Sequence, residues 1–175
     1  MVYVFGYGSL LSPRSANRTL RRPARPTDLQ AVTLRGYRRV WNVVTRRQLD
    51  DTGEPINAIV LGIEPAPDVA MVGAIFPVND EELARLDQRE RHYDRMDVTD
   101  RISPAPAGRV LTYLPKPAAI QPPDEAVVAQ SYLDEIAAGC ELLGEAFTRR
   151  YHETTVPHAW PIHAGRMRQG APARP

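Results

Sequence analysis

Apolar and polar positions change their period several times along this chain, and the changes mark its elements. Residues 2–6, VYVFG, form a short apolar run of β-branched and aromatic residues, which predicts a buried strand. Ser12 followed by Pro13 is the pattern of an N-cap with proline at the first helical position, so a short helix is expected through about Leu20. After a stretch punctuated by Pro23 and Pro26, residues 29–44 alternate well enough for one strand, or two with a kink at Gly36. Residues 56–64 (INAIVLGIE) and 70–78 (AMVGAIFPV) are further β segments.

At residues 79–90, NDEELARLDQRE, the period becomes helical. Asn79 is placed as N-cap, Glu82 three residues later as its capping-box partner, and the acids of the first turn suit the helix dipole. Residues 93–100 and 109–115 return to strand character, 116–125 read as a proline-rich loop, and 131–151 carry the longest helical pattern. From His152 the periodicity fades, which predicts an ordered strap and then a disordered tail from about Gly170. Residues 1–151 are thus expected to form one domain and 152–175 its C-terminal strap and tail. Strands dominate the first two thirds and do not alternate regularly with helices, so the fold class is α+β with a curved mixed or antiparallel sheet rather than repeated βαβ units.

Composition narrows the function. The 22 basic and 21 acidic side chains are interspersed and leave a formal net charge of +1, which offers no electrostatic footprint for nucleic acid or an anionic membrane. The start of the chain lacks the basic and long apolar regions of a signal peptide, and no apolar run reaches bilayer length, so a soluble, cytoplasmic protein is expected. A single cysteine, Cys140, precludes an internal disulfide and a cysteine-rich metal site, and inside a helical pattern it reads as a small packing residue.

The chemistry concentrates at the end of the first strand, in Gly6-Tyr7-Gly8-Ser9-Leu10-Leu11. A dinucleotide fingerprint would need glycine where Leu11 stands, and a P-loop would need an absent Gly-Lys-Ser/Thr ending. Ser9 is not in a nucleophile elbow, because the residue two beyond it is again Leu11. Two glycines at a strand end do leave successive N–H groups bare, free to converge on a carboxylate or oxyanion. The alternative is a tight turn that serves only chain reversal.

Glu90 is the second candidate. Leu83, Leu86 and Glu90 stand at i, i+3 and i+7, so the carboxylate shares the face that docks on the sheet, and burial would raise its pKa toward the range useful for proton transfer. The alternative is a Glu90 that ends the helix and pairs with an arginine. Glu81, Glu82, Arg85 and Arg89 fall mainly on other faces and read as solvated. Tyr93, Tyr113 and Tyr132 are phenols that could line a polar cavity or simply pack. His158 and His163 have no carboxylate or cysteine partners at metal-ligand spacing, so no metal is expected.

Taken together, VFGYGSL at the N-terminus, GYRRVWN, GAIFPVNDEELARLDQRE with Glu90 and Tyr93, and YLDEIAAG with Tyr132 and Gly139 resemble the γ-glutamylcyclotransferase-like superfamily, which includes ChaC-type and plant AIG2-like proteins. The likeness runs from about residue 2 to 151. It implies a small, closed or nearly closed β-barrel flanked by helices with a cavity at one end. It also implies that Tyr7, Gly8, Ser9 and Leu10 hold a γ-glutamyl group through backbone N–H groups, that Glu90 is the acid/base, and that Tyr93, Tyr113 and Tyr132 are candidates to clamp the substrate. No cofactor is implied. Arg91 stands where many members have glycine, and the tryptophan common near residue 12 in the glutathione-specific branch is missing. The substrate stays open among glutathione, γ-glutamyl amino acids, γ-glutamylamines and a γ-glutamyl biosynthetic intermediate, and the oligomeric state is open too. The rival reading is an inactive small-acid-binding or interaction module of the same fold.

Overall fold

A computed structural model describes residues 1–23, 25–120 and 125–169. The middle of the expected proline-rich loop and the tail from Gly170 lie outside the described residues. In chain order the elements are β1 (Val2–Gly6), α1 (Pro13–Leu20), β2 (Gln30–Leu49), β3 (Pro55–Val78), α2 (Asp80–Arg89), β4 (Tyr93–Asp97), β5 (Ile102–Ser103), β6 (Arg109–Pro115), β7 (Val128–Ala129), α3 (Gln130–Leu143), α4 (Glu145–Glu153), β8 (Ile162–His163) and β9 (Met167–Gln169).

The main sheet runs β4-β6-β1-β3-β2-β5, with β9 added to β2. Among the described residues only β1 and β6 pair in parallel within it, so the sheet is mixed, and it curls into a half-barrel. Its backbone is the long β2–β3 hairpin, whose register shifts between Arg35 and Tyr37 and again between Trp41 and Val43. Such bulges bend a strand without breaking it, and Gly36, at φ +83°, sits in the first one. The two β segments expected at 56–64 and 70–78 are therefore one strand. Pro65 and Pro67 do not interrupt it, since β2 pairs through Pro65 and resumes at Ala70.

Ser12 caps α1 by accepting a hydrogen bond from the Ser15 N–H (3.4 Å), and Asn79 and Glu82 form the reciprocal capping box of α2. The expected helix over 131–151 is two helices, because Gly144 adopts φ +92°, a left-handed conformation that ends α3 and starts α4. Glu82 is not a solvated residue: it is 4% exposed and ion-paired with the Arg22 guanidinium. The strap after α4 pairs β8 with β7 and β9 with β2. One core cluster joins β1, β2 and β3 to α3 and α4, through Phe5, Leu34, Leu61, Ile136 and Phe147 among others. A second lies under α1 and α2 with Val4, Leu20, Phe76 and Leu86. No helix among the described residues is long and apolar enough to cross a membrane.

Candidate active site

Strand β1 ends at Gly6, and the chain turns through Tyr7 and Gly8 into a 3-10 turn, Ser9–Leu11, before α1. The turn is closed by Leu11 N–H to the Gly8 carbonyl (3.0 Å) and Ser12 N–H to the Ser9 carbonyl (3.1 Å). Among the described residues, no protein acceptor takes the N–H of Gly8 or of Leu10. These are bare donors of the kind an anion-binding loop needs. Gly8 also permits a close approach, because a Cβ there would stand 2.8 Å from the Tyr132 phenol oxygen.

Strand pairing explains how the tyrosines gather. The final residue of β1, Gly6, pairs with Ala74, and among the described residues Leu61 of β3 has a strand neighbour only in β2. Two phenols take up its polar groups: the Tyr132 oxygen accepts from Leu61 N–H (3.2 Å), and Tyr93 donates to the Leu61 carbonyl (3.0 Å). Tyr7 donates its phenol to the Tyr113 carbonyl (2.7 Å). Burial pushes the Tyr7, Tyr93 and Tyr132 phenols up, and the nearby Glu90 charge pushes the same way, so all three are neutral at physiological pH.

Glu90 follows the last residue of α2 and acts as its C-cap, with its N–H bonded to the Leu86 carbonyl (2.8 Å). Its side chain is 15% exposed, and Oε1 lies 3.0 Å from Arg89 Nε. Burial raises its pKa above the ordinary 4.5, and Arg89, by charge and hydrogen bond, offsets only part of that. Loss of hydration thus outweighs the adjacent guanidinium. Glu90 does end its helix and does pair with an arginine, as the plainer reading of the sequence had it, yet it is also buried within electrostatic reach of Tyr7, Tyr93 and Tyr132.

Arg89, read from sequence as solvated, is the fastener of this corner. Besides Glu90 it donates to the Ser15 carbonyl, Thr19 Oγ1, Ser15 Oγ and Ser9 Oγ, each at 3.0 Å. It therefore ties the loop, α1 and the candidate acid/base together. No spacing rule flags it, because its partners are about 70 to 80 residues away in sequence.

Of the residues predicted for the site, the structure brings Tyr7, Gly8, Ser9, Tyr93, Tyr132 and Glu90 together. Leu10 offers its N–H, while its side chain packs beneath α1 and α2. Tyr113 turns the other way and donates its phenol to Asp87 Oδ1 (2.8 Å), so it contributes its carbonyl rather than its ring. Ser9 Oγ meets an arginine and no base. His158 Nδ1 faces the Trp160 carbonyl, and no His, Cys, Asp and Glu grouping among the described residues suits a metal ion. Two open surface grooves, one of about 580 Å³ between Tyr37, Pro65 and Arg101 and the other beside Gly144, are lined by none of these residues.

Sequence reasoning missed Arg39 and Tyr151, which lie directly behind the loop. Arg39 Nε and the Tyr151 phenol both donate to the Tyr7 carbonyl at 2.8 Å. Strand alternation in GYRRVWN was the available signal, since Tyr37 and Arg39 share the inward face.

Residues 4–134 match the family described as gamma-glutamyl cyclotransferase, AIG2-like. Comparison with curated protein sequences gives no significant match. Among solved structures, a protein titled gamma-glutamyl cyclotransferase superposes with TM-score 0.61 at 14% identity, covering 91% of this chain and 90% of the other. YkqA from Bacillus subtilis gives 0.61 at 19%, covering 93% of this chain and 56% of its own longer one. A glutathione-specific yeast gamma-glutamyl cyclotransferase gives 0.52 at 13%, covering 90% and 98%. At such identities these likenesses speak to the fold.

Proposed function

The chain belongs to the gamma-glutamyl cyclotransferase, AIG2-like family, and from that premise we propose that it cyclises the γ-glutamyl group of a small γ-glutamyl amide to 5-oxoproline, releasing the attached amine or amino acid. The observation that carries this reading is Glu90: a carboxyl with its pKa raised by burial, set beside a loop with unclaimed N–H donors and three neutral phenols. In the proposed reaction Glu90 takes a proton from the substrate's α-ammonium. The freed amine attacks its own γ-carbonyl, and the ring C–N bond forms as the γ-amide C–N bond breaks. Glu90 then returns the proton to the leaving amine, and the second proton, lost by the attacking nitrogen as it becomes the ring amide N–H, passes the same way, so the amine departs as an ammonium. Loop N–H groups would hold the substrate's carboxylate and stabilise the oxyanion, and the tyrosines around Leu61 would hold the glutamyl chain folded on itself. The reaction needs neither a protein nucleophile nor a cofactor, which agrees with a Ser9 that has no base.

One observation favours the binding-module reading, namely the Glu90–Arg89 pair, since a carboxylate drawn out by an arginine is poorly placed for proton transfer. Against it, the other donors of Arg89 are committed to Ser9, Ser15 and Thr19, so the pair holds Glu90 toward the loop. The deciding experiment measures 5-oxoproline release from γ-glutamyl amino acids, γ-glutamylamines and glutathione, beside Glu90→Gln. Release by the wild type and loss of at least about 100-fold in the variant is expected, within the usual range for a removed acid/base. Near-normal release by Glu90→Gln would sink the mechanism, and no release by the wild type would leave the module.

A further inference from the structure

Arg39 is fully buried, at 0% exposure, and among the described residues no Asp or Glu pairs with it. The groups that act on it electrostatically are the phenols of Tyr151, Tyr132 and Tyr7 and the thiol of Cys140, all neutral at physiological pH. Its hydrogen bonds end on the Tyr7 carbonyl (2.8 Å), the Tyr151 carbonyl (3.3 Å), Thr155 Oγ1 (2.8 Å) and the Val72 carbonyl. The guanidinium also lies over the Tyr151 ring, 3.7 Å from its centroid. An arginine keeps its proton even where burial disfavours the charge. A buried cation without a counter-ion is costly, and neutral acceptors compensate it only in part.

Its position is informative. The Tyr7 carbonyl takes two donors, Arg39 Nε and the Tyr151 hydroxyl, both at 2.8 Å. That carbonyl belongs to the same peptide unit as the Gly8 N–H, and in a trans peptide the two point in opposite directions. Hydrogen bonds on the carbonyl of an amide polarise its N–H, and a charged donor does so more strongly. The Gly8 N–H is one of the loop donors that no protein group takes. Positive charge is thus placed at the carbonyl end of this peptide, and the peptide passes it through to the Gly8 N–H.

We propose that Arg39 and Tyr151 are positioning residues for ligand binding: they lock and polarise the Tyr7–Gly8 peptide so that the Gly8 N–H receives the carboxylate of the ligand, which is the missing counter-charge of Arg39. This rests on the reading that a γ-glutamyl group occupies the loop. It assigns the binding energy of the ligand's carboxylate to two residues that do not touch the ligand.

The test compares wild type, Tyr151→Phe and Arg39→Lys for calorimetric binding of 5-oxoproline and of its neutral carboxamide, with thermal melts as the check on folding. Wild type is expected to bind the acid more tightly than the amide. Tyr151→Phe keeps the ring under Arg39 and removes one hydrogen bond, so acid affinity should fall about 2- to 10-fold while amide affinity holds within about 2-fold. Arg39→Lys keeps the charge and loses the fork, and should retain part of the preference for the acid. Equal losses for both ligands in a folded Tyr151→Phe, or no loss for either, would mean a purely structural role. A wild type that binds the acid no better than the amide, or binds neither, would overturn the inference. Absence of 5-oxoproline release with the acid preference intact would overturn the cyclotransferase reading and leave this one standing.

Discussion

Gly139→Ala separates two effects that usually cannot be told apart. In an ordinary helix interior the change stabilises, by about 0.5–1 kcal/mol, because glycine loses more backbone entropy on folding. Here α3 lies against the Ser9–Leu11 turn so tightly that a Cβ on Gly139 would stand 2.7 Å from the Leu11 carbonyl carbon and 2.8 Å from both its Cβ and its oxygen. Ordinary contact begins near 3.4 Å, so helix and turn would have to part by about 0.7 Å, and the atoms in the way are largely backbone. Overpacking of this kind costs about 1–3 kcal/mol, which offsets the propensity gain and leaves a net loss of up to about 2.5 kcal/mol. For a domain of this size that is a fall in Tm of up to about 10 °C. Ala138→Gly, on the exposed face of the same helix, isolates the propensity effect and should cost up to about 1 kcal/mol. Differential scanning calorimetry of both variants reads the result. Because α3 also carries Tyr132, kcat/KM in the proposed reaction should fall with Gly139→Ala and hold with Ala138→Gly. A higher Tm for Gly139→Ala would refute the packing argument, since propensity alone predicts that sign.

The loop itself gives a matching prediction. Gly8→Ala should displace the Tyr132 phenol from the Leu61 N–H, lose about 1 kcal/mol and raise KM. In the double variant with Tyr132→Phe the clash disappears, so the two losses measured by melting should sum to more than that of the pair, and simple additivity would count against the 2.8 Å approach. Glu90 gives a pH dependence. Its folded pKa is raised, so the protonated form is favoured in the folded state, and ionisation costs stability as pH climbs from the ordinary 4.5 through the raised value. Glu90→Gln should therefore melt above wild type at neutral pH and match it below about pH 4, while the acid limb of wild-type kcat/KM should lie above 4.5. A variant that melts lower at neutral pH would mean that the Arg89 pair outweighs burial.

What could be read in the sequence was local. The Asn79–Glu82 capping box, the Ser12-Pro13 helix start and the inward face of Leu86 each depend on residues within one or two turns, and all are present in the fold. The two glycines marked a loop in which, among the described residues, no protein acceptor takes the N–H of Gly8 or of Leu10. What escaped was set at long range. The strand pattern lapses between residues 64 and 70, but the β2–β3 ladder runs across Pro65 and Pro67 with a register shift. Arg89 looked solvated because helical spacing reports only neighbours on α2, whereas its partners sit on α1 and the loop. Gly144 stood inside a pattern with continuous helical period, and only its left-handed backbone divides α3 from α4.

The arginines on the two sides of the loop do different work. Arg89 is part-exposed, and its charge partly offsets the burial of Glu90, so the carboxyl's pKa is raised by less than burial alone would raise it. Arg39 lies on the buried side and has no acid to tune. Exchanging their roles would fail on physical grounds. A guanidinium with all its donors on neutral acceptors cannot set the pKa of a carboxyl it does not meet. One that spends its Nε on Glu90 has its charge half-neutralised and can lend less to the loop. On the proposed reading the fold thus keeps proton transfer, at the end of α2, apart from carboxylate recognition, behind β1, and joins them through the few residues from Tyr7 to Ser9.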